Sequence, residues 1–205
     1  SSTGDDFGSS VAISGSYIIV GAKSANKAYV YHKSESDSSF SLEYTFNNPN
    51  TNTANSSDGF GTAVGISDTY AVVGAPKEDV GQQNSGSAHV YDLSDGTFLY
   101  TLDNPDADST TSHKNFGIRL DVAGNYAVFG TEYPTATGDS IHIFELSDGS
   151  GSLVKTIDNP NGQGTSGGDQ FGGAVAINSG HIAVGALEED YILELYASNS
   201  GIVYV

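Results

Sequence analysis

Four times along the chain a Phe-Gly pair is followed, fourteen residues after its Phe, by a second glycine. The pairs are Phe7-Gly8, Phe60-Gly61, Phe116-Gly117 and Phe171-Gly172, at intervals of 53, 56 and 55 residues, and the second glycines are Gly21, Gly74, Gly130 and Gly185. The separation of fourteen never varies, while the rest of each unit changes length. The segment between the two glycines is therefore the rigid part of the unit, and the remainder is connection. Periods of this size are the mark of a supersecondary unit stacked on copies of itself.

Each unit reads as four short strands, A to D. Strand A carries Val11/Ile13, Val64/Ile66, Leu120/Val122 and Val175/Ile177 in successive units. Strand B is Tyr17 to Val20, Tyr70 to Val73, Tyr126 to Phe129 and His181 to Val184. Between them lie short turn signals such as Ser14-Gly15-Ser16 and Ala123-Gly124-Asn125, which suit a tight hairpin. Strand B is apolar on both faces, as expected of a strand sandwiched between neighbouring sheets. Strand C is Ala28 to Tyr31, Ala88 to Tyr91, Ile141 to Phe144 and Val203 to Val205. Strand D ends in Asn48-Pro49, Asn104-Pro105 and Asn159-Pro160, with no fourth copy. The units run approximately over 5–57, 58–113, 114–168 and 169–205, the last incomplete. No sustained helical period competes; Leu187 to Tyr196 is the nearest candidate and is short. The expected fold is all-β, a β-propeller built of four-stranded antiparallel blades, because a unit this small has little core of its own.

Composition excludes several partners. With 25 acids against 7 bases the net charge is −18, which disfavours nucleic acid and anionic membranes. No apolar run approaches the roughly 18 residues of a membrane span, so membrane insertion is not expected. Cysteine is absent, which removes disulfides and thiol chemistry. Asn55-Ser56-Ser57 fits a glycosylation sequon.

The run from Asp5-Asp6-Phe7-Gly8 to Ile19-Val20-Gly21-Ala22 resembles an FG-GAP repeat, and Asp58-Gly59-Phe60-Gly61 through Val73-Gly74-Ala75-Pro76 is the fullest match. The resemblance implies a propeller like the head of integrin α subunits, with a role in adhesion or recognition at an extracellular, cell or virion surface. Similar repeats occur in secreted or surface proteins of microbes and in virus-associated proteins. Many members carry a calcium cage between strands A and B. Here those turns are too short and hold at most one acid, such as Asp68, so the family's calcium does not carry over.

No cofactor is assigned. Acids cluster elsewhere, and Asp58, Asp79, Asp169 and Asp190 are weak calcium candidates, since calcium needs six to eight oxygens. His89, His142 and His181 stand where other units carry Tyr, which reads as a packing position with a polar tip. Arg119, the only arginine, lies two residues from Asp121 on one strand face and reads as half of an intrastrand ion pair, with a central-channel charge as the alternative. No nucleophile motif, metal-ligand spacing or phosphate loop appears, so an enzyme is not expected.

Length variation falls on one end of the blades. From the second glycine to the middle of strand C the chain takes 9, 16, 13 and 20 residues, and the D–A segments are long and polar, whereas the A–B turns are uniformly short. Variable polar loops on a rigid scaffold are where binding resides. The expected ligand-binding residues are Lys77, Glu78, Asp79, Gln82 and Asn84 in the second unit and Glu188, Glu189, Asp190 and Asn199 in the fourth. The expected partner is a glycan or protein surface, with further copies or remaining repeats of the same protein at the open edge. Alternatives are a structural repeat of a surface fibre or coat, or a non-catalytic domain of a glycan-processing enzyme.

Overall fold

A computed structural model describes residues 4–50, 58–80, 83–106, 115–130, 140–160, 170–186 and 202–205. These form an all-β propeller of four blades. Blade 1 is β1 (Phe7–Ser14), β2 (Tyr17–Ala22), β3 (Lys27–Lys33) and β4 (Phe40–Asn47), with a single 3₁₀ turn at Lys23–Ala25. Blade 2 is β5 (Val64–Ile66), β6 (Tyr70–Ala75), β7 (Ser87–Asp92) and β8 (Phe98–Asp103). Blade 3 is β9 (Arg119–Ala123), β10 (Tyr126–Gly130), β11 (Ser140–Glu145) and β12 (Ser152–Asp158). Blade 4 has three described strands, β13 (Phe171–Ile177), β14 (Ile182–Ala186) and β15 (Ile202–Tyr204). Every sheet is antiparallel with its strands in chain order. The sequon at Asn55, the Leu187 to Tyr196 segment and His113 lie outside the described residues.

The spacing of fourteen is the register of the A–B hairpin. Phe7 pairs with Ala22 and Phe171 with Ala186. In blade 2 the Gly61 N–H donates to the Gly74 carbonyl at 3.0 Å, and the Gly74 N–H donates to the Ala63 carbonyl at 2.9 Å. The glycines of the Phe-Gly pairs all have φ between +86° and +91°, a region that L side chains rarely enter. The second glycines are required for a different reason, which is close approach. A Cβ on Gly21, Gly74 or Gly130 would fall 2.1, 1.9 or 2.0 Å from the carbonyl oxygen of Gly61, Gly117 or Gly172. The second glycine of one blade thus receives the Phe-Gly backbone of the next.

The core lies between blades rather than within them. One cluster joins Ile19, Val30 and Phe46 of blade 1 to Phe60, Val64, Ile66 and Tyr91 of blade 2. A second joins Val72, Val90 and Leu102 to Phe116, Val122 and Phe144, and a third joins Val128 and Ile141 to Phe171 and Val184. Strand alternation explains the division. On the A strands of blades 2 to 4 the branched residues point back to the preceding blade, and alternate A-strand positions, such as Ala12 and Gly65, point forward to the following one. Each fully buried Val, Ile or Phe contributes about 1.5–3 kcal/mol, so a blade owes its stability to its neighbours. The outer strands are tied by hydroxyls: Tyr44 donates to the Leu93 carbonyl at 3.2 Å, Tyr91 to the Asn47 carbonyl at 3.0 Å, and Tyr100 to the Leu146 carbonyl.

Candidate functional site

The B–C connection of blade 2, from Pro76 to Gly86, is fastened to both neighbouring D–A connections. On one side the Lys77 N–H donates to the Asp58 carbonyl at 2.9 Å, and Asn48 Nδ2 donates to Asp58 Oδ2 at 3.1 Å. On the other, the Asn115 N–H donates to the Asn84 carbonyl at 3.1 Å and the Phe116 N–H to the Ser85 carbonyl at 3.0 Å, while Asn104 Nδ2 reaches the same Ser85 carbonyl at 3.2 Å. Inside the loop, the Val80 N–H donates to Ser85 Oγ and the Asn84 N–H to Asp79 Oδ1 at 2.8 Å. The B–C and D–A connections therefore meet at one end of the blades.

Within that loop the predicted residues divide. Lys77 and Asp79 are exposed, and Asn84 is half-buried. Asp58 is buried and hydrogen-bonded by Asn48. Glu78 turns inward and is only 1% exposed. Its Oε1 meets His89 Nε2 at 3.0 Å, and its Oε2 accepts from Ser87 Oγ. His89 Nδ1 meets Thr101 Oγ1 at 3.0 Å. Burial alone would raise the Glu78 carboxyl; the hydrogen bond and charge of His89, with Ser87 and Asn48, outweigh burial and hold it below the usual carboxylate range. Glu78 thus supports the loop from beneath and presents no carboxylate to a partner. Gln82, Glu188, Glu189, Asp190, Asn199 and Asp169 lie outside the described residues. No three His, Asp or Glu side chains converge into a metal-binding group among the described residues.

Blade 3 repeats the buried polar group with a different acid. His142 Nδ1 meets Thr156 Oγ1 at 3.0 Å and its Nε2 meets Asp106 Oδ2 at 3.2 Å, with Ser140 Oγ within 3.4 Å of both. Glu78 comes from the B–C connection of its own blade, whereas Asp106 comes from the preceding D–A connection. In blades 1 and 4 the same register holds Tyr29 and Tyr204. All four rings pack on the Phe of their own Phe-Gly pair, with centroid separations of 5.5 Å for Phe7–Tyr29, 5.6 Å for Phe60–His89, 6.1 Å for Phe116–His142 and 5.5 Å for Phe171–Tyr204. The register is a packing position whose polar tip takes whatever partner the loop supplies.

Arg119 and Asp121 do not form the expected intrastrand pair. They share a face, but that face meets blade 4. Arg119 Nε donates to the Gly173 carbonyl at 2.9 Å and Nη1 to the Ile118 carbonyl at 3.2 Å. Asp121 Oδ2 accepts from the Ile177 N–H at 2.9 Å, and Oδ1 from the Val122 N–H. Each charge therefore bridges to the backbone of β13. Arg119 also lines a central cavity of about 410 Å³ that the four A strands share, with Ser10, Thr62, Val64, Leu120 and Val175.

The residues that sequence reasoning missed are the asparagines of the Asn-Pro pairs. Asn48 Oδ1 accepts from the Asn50 N–H and Asn104 Oδ1 from the Asp106 N–H, both at 2.9 Å, closing an Asx turn. The Asn104 amide then reaches the Ser85 carbonyl in the loop of blade 2, and the Asn48 amide reaches Asp58, whose own carbonyl holds the Lys77 N–H. The threefold recurrence of Asn-Pro after strand D was the available signal.

No curated protein matches the sequence. The FG-GAP repeat family matches residues 1–37 and 52–91, which hold the hairpins and C strands of blades 1 and 2. The chain therefore carries FG-GAP repeats at residues 1–37 and 52–91, and the same hairpin, glycine contact and ring register continue into blades 3 and 4.

Proposed function

We propose that this propeller is a non-catalytic recognition module of an extracellular, cell or virion surface, and that the end carrying the B–C and D–A connections binds a glycan or protein surface. The observation that carries the reading is the loop of blade 2. Its described residues are fixed from both sides and from beneath, yet Lys77 and Asp79 remain exposed. A loop ordered before binding loses little entropy on binding, which favours recognition. The two groups that combine Ser, His and an acid support the non-catalytic part. Ser87, His89, Ser140 and His142 are all buried, and each His is held between an acid and a Thr. None of these four residues is more than 2% exposed.

The test is a glycan array and a cell-adhesion assay on the wild-type chain and on Lys77→Ser/Asp79→Ser, with the segment 187–200 shortened in a second variant. Loss of binding with an unchanged circular dichroism spectrum supports the reading. Retained binding in both variants rules the loop face out. Deleting the whole 77–86 loop is the wrong perturbation, because it also removes Glu78 and strands His89 in the core.

A further inference from the structure

The central cavity carries a cation whose charge no carboxylate balances. Its wall is drawn from one register, the second to fourth residues after each Phe of a Phe-Gly pair. The third of these is Ser10, Ala63, Arg119 and Ala174 in successive blades, so three small residues share the cavity with one guanidinium. Arg119 stands on blade 3, with described blades on both sides, and its two carbonyl acceptors, Gly173 and Ile118, are themselves lining residues. Those bonds use two of its five N–H groups; the others, both on Nη2 included, have no acceptor among the described residues. In a chain of 25 acids and 7 bases an ion pair is the ordinary fate of a basic side chain, yet none of the described carboxylates pairs with this one. Asp121, two residues on, engages each of its oxygens with a backbone N–H instead.

The rest of the wall narrows the ligand. Val64, Leu120 and Val175 are apolar. Ser10 Oγ donates to the Gly61 carbonyl at 3.1 Å and Thr62 Oγ1 to the Gly59 carbonyl at 2.6 Å, so both hydroxyls have spent their proton and can only accept. The volume of about 410 Å³ lies at the small end of ligand pockets and suits a single ring rather than a chain. No second cation lines it, and the net charge is −18, so each further negative charge on a ligand adds repulsion with nothing to offset it. We propose that the cavity binds a singly charged carboxylate on a small hydroxylated body, an acidic sugar or a free hydroxy acid. The guanidinium holds the carboxylate with paired N–H groups, and the Ser10 and Thr62 oxygens accept from ligand hydroxyls. The site is separate from the loop of blade 2 and stands without it.

The experiment is saturation-transfer NMR titration of the 205-residue chain with glucuronate and lactate, and with glucose and lactamide as uncharged counterparts. Saturable binding of at least one acid, with no signal from its uncharged counterpart, is expected. Tighter glucuronate names an acidic sugar as the source, and tighter lactate a free acid. Arg119→Gln is expected to weaken binding about tenfold or more. Because that change also removes a tie to blade 4, Ala174→Glu provides the second variant: it leaves both backbone bonds of Arg119 in place and sets a resident carboxylate beside them. It too is expected to weaken binding about tenfold or more, with an unchanged circular dichroism spectrum. Lys77→Ser/Asp79→Ser should bind as wild type does. Absence of saturable binding by both acids overturns the proposal. So do uncharged counterparts that bind equally well, wild-type affinity in Arg119→Gln or Ala174→Glu, or loss of binding in the loop variant.

Discussion

Gly74→Ala tests whether the second glycine is a contact between blades. The added Cβ would sit 1.9 Å from the Gly117 carbonyl oxygen and 2.9 Å from its carbon. A carbon and a carbonyl oxygen ordinarily meet no closer than about 3.3 Å, so blades 2 and 3 must separate locally by roughly 1.4 Å. Neither partner is a flexible side chain that could swing aside. The separation would loosen the cluster of Val72, Phe116, Val122 and Phe129 packed across that junction. Overpacking a core costs about 1–3 kcal/mol and occasionally more; with a backbone oxygen as the obstacle, about 3 kcal/mol or above is expected. For a chain of this size that is a fall in Tm of roughly 6–12 °C. Gly185→Ala is the internal control, since the same methyl meets ordinary contact there. Urea and thermal unfolding measure both. Equal stabilities for the two variants would refute the reasoning.

Phe116→Ala, at a fully buried ring, is expected to cost about 3–5 kcal/mol in urea unfolding, while Phe7→Ala costs well under half of that because its ring is already half solvated. Glu78→Gln is expected to cost about 1.5–3 kcal/mol at pH 7 by weakening the charged contact to His89. The folded-state carboxyl of Glu78 is depressed, so its contribution is full above the unfolded-state value and lost as pH falls through the folded-state value; the wild-type and Glu78→Gln stability curves should converge in acid. Asp121→Ala leaves the Ile177 N–H without its acceptor and is expected to cost about 1–3 kcal/mol, with faster amide hydrogen exchange at Ile177 and no change at Ile66.

The hairpins were legible because pairing within a hairpin depends on residues close in sequence. A fixed Phe-to-glycine spacing with a short turn signal has one antiparallel solution. The purpose of the second glycine was not legible, since the oxygen that excludes its side chain belongs to the next blade, 40 to 43 residues on. The same limit explains Arg119 and Asp121. Their shared face could be read from a spacing of two, but their acceptor and donor at Gly173 and Ile177 could not. Glu78 read as a surface acid because acids after strand B usually face water. What draws it inward is a histidine and a serine on the following strand, placed beneath it only once the sheet forms.

The glycine contact also bears on how such a chain can change its length over generations. Where two blades touch at that point, both surfaces are main chain, identical whatever side chains surround them. The neighbouring forward positions can then drift, from Ser10 to Ala63 to Arg119 to Ala174, without spoiling the fit. A duplicated or deleted unit would meet its new neighbour through atoms every unit shares, needing no matched substitutions on the other side. Interchangeability of this kind is what lets stability add up unit by unit and nearest neighbour by nearest neighbour.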